Sequence, residues 1–171
     1  MKVVSRPSKP SSNKDKKDSP AKPAIATTSL RKIAELREAA SDCRACDLYK
    51  MATQTVFGGG PAKSKIMFVG EQPGDQEDRV GHPFVGPAGR LLDQALEAAG
   101  IEHSKVYLTS VVKHFKWEAA VQGKKRIHKK PRYSEIHACR PWIDAELRAV
   151  KPGILVCLGF HCRTVASRSD L

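Results

Sequence analysis

Ile66-Met67-Phe68-Val69-Gly70-Glu71-Gln72-Pro73-Gly74-Asp75-Gln76-Glu77-Asp78 is the stretch on which the fold turns. Its first four residues form an unbroken apolar run stopped by Gly70, which is how a strand buried on both faces of a parallel sheet reads. The loop that follows carries glycines through which backbone can approach a ligand closely. It also carries the carboxylates Glu71, Asp75, Glu77 and Asp78, whereas a phosphate cradle wants lysine and amide N–H groups. The loop therefore reads as acid–base or orienting machinery; its bland reading is a polar surface turn.

Downstream, Leu91, Leu92, Ala95, Leu96 and Ala99 make one face of a helix closed by Gly100. Val106-Tyr107-Leu108 reads as a second strand. Ile136, Trp142, Ile143, Leu147 and Val150 form the stripe of another helix, and Ile154-Leu155-Val156 a third strand ending at Leu158-Gly159. Upstream, Ser29 caps a helix carrying Leu30, Ile33, Leu36 and Ala40 and running to about Ser41. Strands alternating with helices imply right-handed crossovers and a parallel α/β sheet covered on both faces. Ligands gather at the carboxyl ends of such strands. Here those ends are the loop from Gly70 to Gly89, the segment after Leu108 and whatever follows Gly159.

The 171 residues suffice for one domain with a real core, and no apolar stretch approaches the roughly 20 residues a bilayer requires. Net charge is +12, concentrated in two places. Residues 1–30 hold seven basic and two acidic side chains, and residues 113–132 hold eight and one, which leaves the remainder neutral. An uncharged domain with two basic appendages implies a polyanion partner, most simply nucleic acid. Residues 1–29, rich in Pro and Ser, read as a disordered basic tail; their prolines and aspartates spoil the amphipathic helix of a transit peptide. Five cysteines, an odd count without a secretory apolar segment, point to a reduced, cytoplasmic protein.

Cys43-x-x-Cys46 places two thiolates on one turn, and Cys139 and Cys157 bracket the last helix and strand. Four soft ligands of this kind close a tetrahedral zinc site or hold an iron–sulfur cubane; packed into Leu155-Val156-Cys157-Leu158, Cys157 also reads as plain core. Cys162 is the odd one out. In His82-Pro83-Phe84-Val85-Gly86-Pro87-Ala88-Gly89, Phe84 sits on a stiff loop before a helix, able to stack on a planar base or to plug the core.

Gly-Glu-x-Pro-Gly with Glu77-Asp78, then Pro83-Phe84-Val85-Gly86-x-Ala88-Gly89, then Cys139 and Cys157-Leu158-Gly159, resemble the iron–sulfur (family 4 type) uracil-DNA glycosylases from about Leu30 to Gly159. Gln72 and the insertion Lys124-Lys125-Arg126-Ile127-His128-Lys129 resemble the UdgX subgroup, whose members attach covalently to uracil-containing DNA through the histidine of an Arg-Ile-His loop. The resemblance implies a three-layer sandwich over residues 30–159 and a 4Fe-4S cluster on Cys43, Cys46, Cys139 and Cys157. It implies a uracil pocket lined by Glu71, Gln72, Pro73 and Phe84. His128 becomes the nucleophile, with Glu71 or Asp75 to orient or deprotonate it. Lys124, Lys125, Arg126 and Lys129 would meet DNA, and about five phosphate contacts would give a log K against log salt slope of roughly −4.5.

Two departures stand out. The family carries Asn at the end of the second strand, where this chain reads Thr109-Ser110, and a hydroxyl cannot make the bidentate contact of an amide. Residues 160–171 do not resemble the family's continuation, so the expected domain lacks its last part, as a shifted reading frame or truncated gene would leave it. The expected protein is a monomeric glycosylase acting on uracil in single-stranded or duplex DNA, in base-excision repair. The rival is a non-catalytic metal-containing nucleic-acid-binding module or an inactive truncated glycosylase.

Overall fold

The computed structural model describes residues 33–120 and 125–159. The tail expected at 1–29, Leu30, Lys124, Cys162 and the segment 160–171 lie outside the described residues. Three parallel strands, β1 (Ile66–Gly70), β2 (Val106–Ser110) and a later strand over Ile154–Cys157, form a sheet with β1 at its centre. Register runs Ile66↔Val106 to Gly70↔Ser110 on one side and Ile66↔Ile154 to Val69↔Cys157 on the other. The unbroken apolar run of β1 follows from this position, since both of its faces are covered.

Met67, Val69 and Tyr107 point to one face, where α1 (Ile33–Ser41) and a long C-terminal helix (Tyr133–Val150) pack. Phe68, Val106 and Leu108 point to the other, against Leu92 and Leu96 of the helix Pro87–Ala98. Gly100, at φ +67°, lets the chain leave that helix with Ile101 N–H donating to Leu96 C=O at 2.9 Å. The expected three-layer α/β sandwich is what forms.

Three short elements escape the sequence reading. Asp75–Val80 is a helix, α2, so that Pro87–Ala98 is α3 and Tyr133–Val150 is α4. Trp117–Ala119 (β3) and Arg126–His128 (β4) pair antiparallel, with Trp117 opposite His128, and Ile154–Cys157 is therefore β5. A six-residue helix and three-residue strands are too short to show a period.

Under the sheet, on the α4 side, lies a charge pair with no solvent exposure: Lys113 Nζ stands 2.5 Å from Glu146 Oε2. Lys113 also donates to Thr109 Oγ1 and to Ser110 C=O, each at 2.7 Å. Glu146 Oε1 accepts from Tyr107 O–H at 3.0 Å and Gly58 N–H at 3.1 Å. A Cβ at Gly58 would fall 2.2 Å from that oxygen, so only glycine brings its backbone this close. Counted by sequence with the basic appendage, Lys113 is instead an interior strut that fixes the end of β2. Its replacement by Met strands a buried carboxylate, and Lys113→Met is expected to lower unfolding free energy by about 3–5 kcal/mol. The paired variant Lys113→Met/Glu146→Leu should recover most of that loss in urea titrations.

Candidate functional site

A cleft of about 810 Å³ opens at the carboxyl ends of β1 and β2. Glu71, Gln72, Pro73 and Asp75 line one wall, Phe84 and the apolar face of α3 the other, Gly70 and Ser110 contribute to the lining between, and His128 faces in from the hairpin. Those expected residues thus share one cavity.

The Phe84 wall is set by backbone. Phe84 has φ +57°, a conformation costing a non-glycine residue on the order of 1–3 kcal/mol. Its carbonyl presses against Gly89, where a Cβ would lie 1.7 Å from the oxygen. Its ring lies over Gly70: a Cβ there would be 2.9 Å from Phe84 Cζ and 3.4 Å from Ser110 Oγ. Glu77, at the third position of α2, accepts from Gly74 N–H at 3.0 Å and from Gly86 N–H at 2.7 Å.

The hairpin is held to the opposite wall by Gln72. Its Oε1 faces Lys116 N–H at 3.3 Å and its Nε2 donates to Lys129 C=O at 2.8 Å, and these backbone partners fix which end of the amide is which. The same Nε2 lies 2.8 Å from His128 Nε2. An amide N–H must donate there, so the imidazole presents its Nε2 lone pair to Gln72 and carries its proton on Nδ1. Phe115 backs the ring, with centroids 5.8 Å apart.

Arg126 corrects the charge reading. Expected to meet DNA, its side chain is only 10% exposed and turned inward. The guanidinium pairs with Asp75, reaches the fully buried Asp78 at 2.6 Å and lies over the rings of Phe115 and Trp117. Asp75, expected beside the imidazole, spends its carboxylate on Arg79 and Arg126, the arginine hydrogen bonds holding it below the usual carboxylate range, Arg79 foremost. Lys116 pairs with Glu135 at 2.8 Å and Lys129 with Glu118 at 2.8 Å. Lys125, Lys130 and Arg132 are exposed, with no ion pair among the described residues.

On the α1–α4 face, Cys43, Cys46, Cys139 and Cys157, none in a disulfide among the described residues, join one core cluster. The Cys139 thiol hydrogen-bonds Cys46 and brings the pKa of Cys46 down to about 7. Trp142 Nε1–H donates to Cys43 Sγ at 3.1 Å and Lys113 N–H to Cys139 Sγ at 3.4 Å. Among the described residues no three His, Cys, Asp or Glu side chains converge on a point as a single metal ion requires. A four-iron cluster takes one thiolate per iron, so its sulfurs surround it, and N–H groups aimed at sulfur suit such ligands. The donor set fits a cubane.

His114, which sequence reading passes over, is buried in the segment that joins β2 to β3. Its Nε2 is 2.9 Å from Thr55 Oγ1, and its Nδ1 is buried without a hydrogen-bond partner among the described residues. Burial pushes its pKa down to about 4, against an opposing pull from Asp78. The unfolded ring binds its proton near the ordinary value of about 6.5. Stability is therefore full above that pH and falls on acidification toward 4, this ring contributing about 3 kcal/mol of the loss. Urea midpoints across that window should show the decline, and His114→Phe should flatten it.

The three-layer α/β sandwich thus carries a cleft of rings and carboxylates at its strand ends and four thiols on the α1–α4 face. The model of the uracil DNA glycosylase superfamily matches residues 57–167, and the chain belongs to that superfamily. Its relatives include type-4 uracil-DNA glycosylases. That of Sulfurisphaera tokodaii is 38% identical over 75% of this chain and 55% of its own length. That of Archaeoglobus fulgidus is 40% identical over 75% and 61%, and that of Thermotoga maritima 36% over 73% and 62%. The chain thus spans a little over half the length of these relatives. No helix among the described residues is long and apolar enough to cross a membrane.

Proposed function

We propose that the chain excises uracil from DNA, in base-excision repair, and captures the resulting sugar through His128 in the manner of the UdgX subgroup. The observation that carries this reading is His128 Nε2 held 2.8 Å from Gln72 Nε2 on the edge of the cleft that Phe84 and Ser110 line. Unstacking the target nucleotide costs a few kcal/mol, and stacking on Phe84 returns roughly 1–3. Both ends of the Gln72 amide are engaged by the hairpin, so the Ser110 hydroxyl and local backbone read the base edge. One hydroxyl reads it less stringently than an amide would.

As the bond between N1 of uracil and C1′ breaks, its electron pair leaves with the base, and positive charge develops on the sugar. The Glu71 carboxylate on the cleft wall favours that charge. Gln72 releases His128 Nε2, whose lone pair forms the new bond to C1′; the imidazole Nδ1 proton then leaves to solvent, and the uracil anion takes up a proton from solvent. A tethered ring outcompetes water through its high effective concentration. Cys43, Cys46, Cys139 and Cys157 would hold the 4Fe-4S cluster, which supplies a cross-link between the Cys43–Cys46 turn, α4 and β5.

The test is incubation with uracil-containing single-stranded DNA followed by denaturing electrophoresis. A shifted band is expected, lost in His128→Ala, with free uracil still released by that variant. A salt-sensitive complex that dissolves in detergent, with no uracil released, would favour the non-catalytic module.

Salt dependence separates cations that meet phosphate from those that do not. Lys125→Ala and Lys130→Ala are each expected to flatten the log K against log salt slope by about one unit. Arg126→Ala should leave that slope unchanged while lowering adduct yield, because it frees the hairpin. Fluorescence anisotropy across a salt series measures both.

A further inference from the structure

Glu77 touches both walls of the cleft. Its Oε2 accepts from Gly74 N–H, at the head of α2 and two residues past Gln72; its Oε1 accepts from Gly86 N–H, at the head of α3 and two residues past Phe84. Glu77 is 8% exposed, and both contacts are made at glycines. A Cβ at Gly74 would come within 2.6 Å of Glu77 Oε2, and one at Gly86 within 2.9 Å of Oε1, so no other residue fits at either end without movement. A single carboxylate thereby staples two turns of the β1–β2 crossover, the one that enters α2 and the one that enters α3.

We infer that Glu77 is a positioning residue that sets the separation of the Gln72 and Phe84 walls, and so the height of the slot into which a planar base slides. The role in base binding rests on the function proposed above; the staple itself does not. The chemistry demands this side chain. Two N–H donors need two acceptor atoms, which a carboxylate has and a carboxamide lacks, so Glu77→Gln sets an NH2 group against one backbone N–H. Aspartate is one methylene shorter and cannot span both. With its tie to Gly86 gone, the loop that holds Phe84 at φ +57° loses a restraint, and the ring leaves its place over Gly70.

Two measurements on the full chain test this. Amide hydrogen exchange followed by mass spectrometry should show peptides covering 72–76 and 83–88 protected in the wild type. Both should exchange at least tenfold faster in Glu77→Gln, with β1 and α4 unchanged. Loss on the α2 side alone would overturn the staple and leave an ordinary helix cap. The adduct assay then reads the consequence. Glu77→Gln should need about tenfold more uracil-containing DNA for half-maximal adduct rate, with binding to the matching thymine oligonucleotide and iron content unchanged. In a Phe84→Ala background the same substitution should add almost nothing; an equal loss there would overturn action through Phe84. A wild-type chain that releases no uracil would defeat the functional reading while the exchange result still decides the staple.

Discussion

His128 is where it is because Arg126 is where it is. The two residues lie at opposite ends of β4, and a three-residue strand paired with another three-residue strand has little stability of its own. What holds the hairpin down is a guanidinium gripped by Asp75 and Asp78 and covered by two aromatic rings. Asp78 has no exposure and accepts also from Thr53 N–H, so the anchor reaches through α2 into the chain ahead of β1. Gln72 then fixes the far end. The hairpin's cations divide accordingly: Arg126, facing inward, holds the strand that bears the imidazole, and Lys125 and Lys130 stay exposed.

The sheet shows a comparable division of labour. Ser110 ends β2 on the cleft side, but its carbonyl is held by Lys113, whose charge is met by Glu146 of α4. The helix that presents Cys139 to the thiol cage thus also supports the residue lining the cleft. Buried ion pairs contribute little net stability relative to apolar packing, though breaking one is costly. The gain here is a fixed position for the end of a strand.

Much of this was legible in the sequence, for physical reasons. Strands β1, β2 and β5 announce themselves as short apolar runs, and α3 and α4 carry stripes at helical spacing, because burial on known faces dictates those patterns. The four thiols and the Glu71-Gln72-Pro73 and Phe84 segments stand out through the motifs that carry the family resemblance. Roles that depend on partners distant in sequence were not legible. Nothing near Lys113 reveals that Glu146 awaits it, and Arg126 among lysines reads as one more solvated cation. Glu77 looked like one of four carboxylates in a polar loop, and only the fold reveals that Gly86 lies against it. Gln72 stands out in the sequence, but its hydrogen bonds to the hairpin and the imidazole become visible only with the β3–β4 pairing.

The chain has two tryptophans, and they lie in different halves of its working parts. The Trp142 indole hydrogen-bonds Cys43, while Trp117 lies beneath Arg126 in the hairpin and donates to Met51 C=O. Each indole is a fluorophore sensitive to its hydrogen bond and to nearby quenchers. The protein therefore carries two native optical probes, one reporting on the sulfur cage and the other on the strand that bears the imidazole, separable by removing either ring.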